Sequence, residues 1–133
     1  MKILVVDDDP EIVTSLRAFL DAEPGIESVS ATSGKQGLAL AATTRPDLIL
    51  LDVRMPDLDG LTVCQQLRLD PVLARIPVIM LTACQDVQTA IDAFSHGAAD
   101  YLPKPVDLPR LMVKIRETVE RAAREGRANQ AEA

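Results

Sequence analysis

Residues 2–10 read Lys-Ile-Leu-Val-Val-Asp-Asp-Asp-Pro: a short apolar run, three carboxylates in succession, then a proline. A continuous apolar run of this length, bounded by polar residues, fits a strand buried on both faces. Asp9 then fits a helix N-cap with Pro10 at the first helical position, and Ile12, Leu16, Phe19 and Leu20 follow at helical spacing. A second apolar run, residues 48–51, also ends on an acid, Asp52. As neighbouring parallel strands the two runs bring Asp7, Asp8 and Asp52 together at their carboxyl ends, where open α/β sheets place their ligands.

Working outward, apolar runs recur at residues 2–6, 26–31, 47–51, 77–81 and 99–102, and helix-length patterns separate them. The first helix is expected to stop near Pro24-Gly25. Ser33 caps a second helix carrying Leu38 and Ala41, and Asp59 a third carrying Val63, Gln66, Leu67 and Leu69. Asp86 opens a fourth with Val87, Ala90, Ile91 and Phe94, stopped by Gly97; Asp107 opens a fifth with Leu108, Leu111, Ile115 and Val119 on one face. Phe94 and the aliphatic stripes read as core. Five strand–helix alternations imply a parallel sheet with right-handed crossovers and helices on both faces. Residues 26–30, Ile-Glu-Ser-Val-Ser, are too polar for the middle of such a sheet. Placing them at an edge gives the order 2-1-3-4-5, a flavodoxin-like three-layer α/β/α sandwich with five helices. The reading divides the chain into a domain over residues 1–121 and, where composition turns to Ala, Arg, Glu, Gln and Asn, a fraying helix end and polar tail or linker over 122–133.

The 133 residues suit one domain, and a chain of that size buries roughly two-thirds of its unfolded surface. With 47% apolar and 26% charged residues, the composition is that of a globular protein. Two Phe and one Tyr leave the core to aliphatic side chains. Fourteen basic residues against twenty acidic ones give a net charge of −6, with no basic stripe to neutralise phosphates along a duplex, so no direct nucleic-acid binding is expected. Cys64 and Cys84 lack metal-ligand spacing, and His96 is the one histidine, which is too little for zinc. The start turns acidic too early for a signal peptide, and no apolar run approaches a membrane span. A cytoplasmic location without membrane association is the expectation.

Reading the residue beyond each central strand assembles Asp7 and Asp8, then Asp52, Thr82 and Lys104. Two carboxylates about 4 Å apart repel by roughly 4 kcal/mol at an effective dielectric near 20, so three of them call for a cation or a raised pKa. All-oxygen donors with no closed cage suit Mg²⁺, with Mn²⁺ as the alternative. The metal and Lys104 would hold a phosphoryl group and leave one carboxylate free to accept it.

These residues sit in four motifs: VVDDDP at 5–10, LLDVRMPDLDG at 50–60, IMLTA at 79–83 and YLPKP at 101–105. In that order and spacing the chain resembles the receiver domain of bacterial two-component response regulators, over about residues 1–121. The resemblance implies that Asp52 is the phosphoacceptor, Asp8 a direct metal ligand, Asp7 a ligand through water, and the backbone carbonyl of Arg54 a further ligand. By the same resemblance Lys104 pairs with the phosphoryl oxygens, Thr82 hydrogen-bonds one of them, and Ala83 is the small residue beside the phosphate. Tyr101 is the ring that follows Thr82, and Lys104-Pro105 is expected to be cis. Arg54 and Cys84 stand where the family tunes phosphoryl lifetime, and Val106 replaces the commoner Phe. The implied partners are a histidine kinase or phosphotransfer protein and a downstream protein or fused output domain, with a phosphorylation-dependent homodimer as a further expectation. No metabolic activity is implied beyond self-phosphorylation and autodephosphorylation.

Simpler roles suffice for some residues. Asp9 reads as a cap, Asp57, Asp59 and Gly60 as turn and cap residues, and His96 as a surface residue favourable to a helix dipole. Two other functions compete. Asp7-Asp8-Asp9 offers the DxD of a haloacid-dehalogenase-like phosphatase, although Glu11 stands where that family has Thr or Val and the chain is short for the fold. The third reading is a non-phosphorylated adaptor, against which the complete set of acidic, Thr and Lys positions counts.

Overall fold

The computed structural model describes residues 1–83 and 87–132. Five parallel strands, β1 (Lys2–Val6), β2 (Glu27–Ala31), β3 (Leu48–Asp52), β4 (Val78–Thr82) and β5 (Asp100–Pro103), form one sheet in the order β2-β1-β3-β4-β5. Each lies within one residue of its expected place. The helices are α1 (Pro10–Asp21), α2 (Gly34–Thr44), α3 (Gly60–Leu69), α4 (Val87–Ser95) and α5 (Leu108–Glu132). The architecture is therefore the flavodoxin-like sandwich expected from the alternation.

Alternation of side chains along each strand splits the core in two. Ile3, Val5, Leu48, Leu50, Ile79, Leu81 and Leu102 face α1 and α5, where Val13, Leu16, Leu20, Leu111 and Ile115 meet them. Leu4, Val6, Ile49, Leu51, Val78 and Met80 face the other way, against Val63, Cys64, Leu67 and Ala93. Every residue of β3 and β4 is buried, as central strands covered on both faces must be. The edge strand β2 is pinned by α1. Arg17 Nε donates to Ser28 Oγ at 3.1 Å, and the Ser28 N–H donates to Asp21 Oδ1 at 2.8 Å, which explains serines in a strand beside a buried core.

Local capping follows the sequence signals. Asp9, Ser33 and Asp59 cap α1, α2 and α3 by accepting from the N–H groups of Glu11, Gln36 and Thr62, and Asp107 accepts from Arg110 at the start of α5. Gly97, at φ +97°, follows the end of α4 in the left-handed region that glycine favours. The expected cap Asp86 and the position of Cys84 lie outside the described residues.

Two expectations need correction. Phe94 and Ile91 of α4 are half exposed, at 49% and 50%; among the side chains of α4 whose burial is described, Ala93 is the buried one. A stripe at helical spacing suits a partner surface as well as a core, and α4 turns it outward. Leu69 at the end of α3 is exposed as well. At the C-terminal end α5 runs to Glu132. Its last residues are mostly Ala, Arg, Glu and Gln, all good helix formers, and the single Gly126 costs only about 1 kcal/mol.

Candidate functional site

The sheet register sets the site. Val6 pairs with Leu51, so Asp7 and Asp52 come next on adjacent strands; Asp52 pairs with Leu81, which Thr82 follows, and Thr82 pairs with Pro103, which Lys104 follows. Strand ends level with one another bring residues up to 97 positions apart to one place. Asp7 and Asp52 are buried, at 1% and 6% exposure, and so is Thr82, while Asp8 is exposed. Lys104 Nζ bridges the two buried acids, 2.8 Å from Asp7 Oδ2 and 3.3 Å from Asp52 Oδ1. The peptide bond that follows, Lys104-Pro105, is cis, as expected. The Lys104 N–H donates to the Thr82 carbonyl at 2.7 Å, tying the ends of β4 and β5 together.

One carboxylate oxygen from each of Asp7, Asp8 and Asp52 lies within 4.8 Å of the other two. A cluster of that span, made only of oxygen donors, could hold a hard divalent cation. Asp7 is already engaged at both oxygens, since its Oδ1 accepts the Asp9 N–H at 2.9 Å and its Oδ2 meets Lys104. Asp52 has looser company: the Arg54 N–H is 3.5 Å from its Oδ1, a long contact.

The charges compete. Burial and then the Asp7 carboxylate push the Asp52 pKa up to about 6, while Lys104 pulls it back. For Lys104, burial alone would lower the pKa, but the hydrogen bond to Asp7 and the two carboxylate charges outweigh it and raise the ammonium above its ordinary value. A cation added to the cluster would relieve the same repulsion that keeps Asp52 high.

The loop from β3 to α3 is held by contacts that local sequence signals do not reveal. Gly60 sits so close to β3 that a Cβ there would stand 2.1 Å from the Asp52 carbonyl oxygen, and its N–H donates to Val53 at 2.7 Å. Only glycine allows α3 to start against that strand end. Asp57, expected as a turn or cap residue, caps a different helix: its two oxygens accept the N–H groups of Gly34 and Lys35 at 3.0 and 2.9 Å, at the start of α2. Those backbone hydrogen bonds hold its pKa down to about 2. No local pattern could announce a partner 22 or 23 residues away. His96 behaves as read, with its Nδ1 2.7 Å from the Asp92 carbonyl oxygen near the end of α4.

Away from the acids, Tyr101 is half-buried opposite Met80 on the α4 side of the sheet, its ring edge-on to Phe94 with centroids 6.2 Å apart. Thr82 shares that face by alternation from Met80. Ala83 follows at the end of β4 and is exposed.

Comparison with known proteins agrees with this arrangement. Residues 3–116 match the family model described as response regulator receiver domain. The DNA-binding dual master transcriptional regulator RpaA of Synechocystis is 43% identical over 123 residues, 92% of this chain and 51% of that protein. Response regulator PleD of Caulobacter vibrioides is 44% identical over 115 residues, covering 86% of this chain and 25% of PleD. This chain thus spans about half the length, or less, of those curated relatives. Among solved structures, the Francisella response regulator 1452 receiver domain is similar at a TM-score of 0.83 and 32% identity, over 90% of this chain and 97% of that one. Chemotaxis protein CheY4 of Vibrio cholerae is similar at a TM-score of 0.83 and 28% identity, over 88% and 97%. With four motifs on one strand-end edge and a family match across most of its length, this chain belongs to the receiver-domain family of two-component response regulators.

Proposed function

We propose that Asp52 accepts a phosphoryl group from the phosphohistidine of a histidine kinase or phosphotransfer protein. The observation that carries this reading is the Lys104 ammonium held between Asp7 and Asp52, with the Asp8 carboxylate in the same cluster. An Asp52 oxygen attacks phosphorus in line, the bond to the imidazole nitrogen breaks, and an acyl phosphate forms. Lys104 is placed to neutralise the equatorial oxygens. Thr82, at the next strand end, is placed to hydrogen-bond one of them, and Ala83 leaves room beside it.

Mg²⁺ or Mn²⁺ fits the donor set, with Asp8, Asp52 and the Arg54 carbonyl as direct ligands, and when bound it supplies charge neutralisation for the incoming phosphoryl group. Asp7 suits a role through water, since both its oxygens already accept hydrogen bonds within the protein. That engagement also argues against a phosphatase built on Asp7, whose two oxygens are both held by short hydrogen bonds, whereas Asp52 meets Arg54 and Lys104 only at 3.5 and 3.3 Å.

The downstream event follows from the α4 side of the sheet. Withdrawal of Thr82 toward the phosphoryl group opens space near Tyr101, and the ring in contact with Phe94 transmits the change to the α4–β5–α5 surface, where Ile91, Phe94 and Val113 are exposed. A phosphoryl group shifts such an equilibrium only by contacting the two states differently, and Thr82 and Lys104 supply that difference. The output is a downstream protein, a fused domain or a second copy of the chain.

Among the described residues no helix is long and apolar enough to cross a membrane. The test is intact mass after incubation with acetyl phosphate and Mg²⁺: a phosphoryl adduct of about 80 Da on the wild type, not formed when EDTA is present from the start and absent from Asp52→Asn. No adduct on the wild type, or an equal one on Asp52→Asn, refutes the assignment.

A further inference from the structure

At the opposite edge of the sheet, where β4 and β5 begin, a cavity of about 340 Å³ opens between the end of α3, the turn into β4 and the outer half of α5. A five-residue strand separates it from the acidic end by roughly 17 Å. Three guanidinium groups, those of Arg68, Arg75 and Arg121, line the cavity against one carboxylate, Glu125. On a chain of net charge −6 this is a local reversal of sign.

The positive charge is not spent internally. Arg75 and Arg121 are exposed and enter no ion pair among the described residues. Arg68 donates from its two terminal nitrogens to the carbonyl oxygens of Ala74 and Ile76, which fixes the group at the cavity wall. Its Nε is buried with no hydrogen-bond partner. Burial raises the nearby Cys64 thiol pKa, and the charge of Arg68 and its side-chain hydrogen bond to the sulfur oppose that rise, a thiol being a weak acceptor. Gly97 makes room for this arrangement, since a Cβ there would stand 2.6 Å from Arg68 Cγ. The three arginines at this cavity enter no ion pair among the described residues, and an anionic oxygen is the partner their charge matches best.

We propose that this cavity is a second anion site, taking the phosphate group of a small organic phosphomonoester. Guanidinium forks suit phosphate oxygens in pairs, and one arginine bonded to the backbone and two exposed ones provide a floor and a rim. The remaining wall, with Ala74, Pro77 and Ala122, is apolar and offers a seat for the organic body rather than for bare phosphate alone. The far wall exists because α5 continues past Arg121, so occupancy ties the outer turns of α5 to the sheet.

The test is a ¹H–¹⁵N titration of the full chain with EDTA present and ionic strength fixed by NaCl, using inorganic phosphate and phenyl phosphate as probes. Saturable shifts are expected at the Arg68 Nε–H and at the amides of Gly97 and Ala99, with phenyl phosphate the tighter of the two. Arg75→Ser with Arg121→Ser weakens binding by about tenfold or more while leaving the rest of the spectrum in place, since neither side chain holds the fold. Glu125→Gln, which removes only the opposing charge, tightens it. Shifts that stay linear in probe concentration, that centre on Asp8 and Asp52, or that survive the double substitution overturn the site; equal affinity for the two probes overturns the organic ligand.

Discussion

Asp52 is the residue on which burial, repulsion and attraction act most strongly. An ordinary aspartate titrates near 3.8 and this one near 6, so between about pH 4 and pH 6 the folded protein keeps a proton that the unfolded chain has released. The sign follows: the native state is favoured below the lower value, and that advantage is lost as pH rises through the upper one. Asp52→Asn, which cannot ionise, should therefore stabilise the metal-free protein at about pH 7.5. About 1.4 kcal/mol for each pH unit between the two values sets a ceiling near 3 kcal/mol, and a gain of about 1–3 kcal/mol in urea unfolding is expected. The gain should vanish near pH 4. An Asn variant no more stable at pH 7.5, or equally favoured at pH 4, would contradict this account of the charge. The same residue was legible from sequence because an acid ending an apolar strand has few structural uses. A raised pKa was one of two answers the clustered acids allowed; that it falls on Asp52 was not legible, because that depends on its burial and on how Asp7 and Lys104 stand around it.

Among the elements, α2 and the loop after β3 are the pair whose connection sequence does not display. Strands announced themselves through apolar runs and most helices through their caps, because both signals are local. The Asp57 link is long-range, and so is the Arg68 clamp on the turn into β4. The outward stripe of α4 was misread for a related reason: periodicity reports that a face is apolar and is silent on what covers it. Since Asp57 belongs to the loop that carries Arg54, its hold on α2 steadies the acidic edge of the sheet. Asp57→Ala should raise amide hydrogen exchange several-fold at Gly34 and Lys35 while leaving the centre of β3 protected. With a pKa of about 2, against 3.8 unfolded, the carboxylate contributes stability above the unfolded value that is lost as pH falls through the folded one. The variant should therefore differ from wild type at neutral pH and converge with it below about pH 2. Unchanged exchange at both amides would show that Ser33 alone caps the helix.

At the scale of the molecule, the open question is how much of α5 belongs to the folding unit. The sheet's covering side chains end early along this helix: Leu111 and Ile115 are fully buried and Thr118 nearly so, while Arg121 is exposed. Beyond it, Ala122 and Gly126 touch the cavity wall but are too small to bury much area. Ending the chain after Arg121 also leaves Arg116 and Arg121 near the new helix terminus, where cations favour the exposed carbonyls. A chain of residues 1–121 should therefore unfold in one cooperative transition, with a Tm within about 4 °C of the full chain, a shift worth no more than about 1 kcal/mol at this size. It should accept a phosphoryl group to the same yield, because among the described residues nothing beyond Lys104 enters the acidic cluster. It should also lose the phosphate-dependent shifts at Gly97, since the wall formed by Ala122, Glu125 and Gly126 is gone. Calorimetry and intact mass on the two lengths separate the outcomes: a shortened chain that unfolds broadly or aggregates would mean that the outer turns of α5 are part of the core, and the boundary at residue 121 would fall.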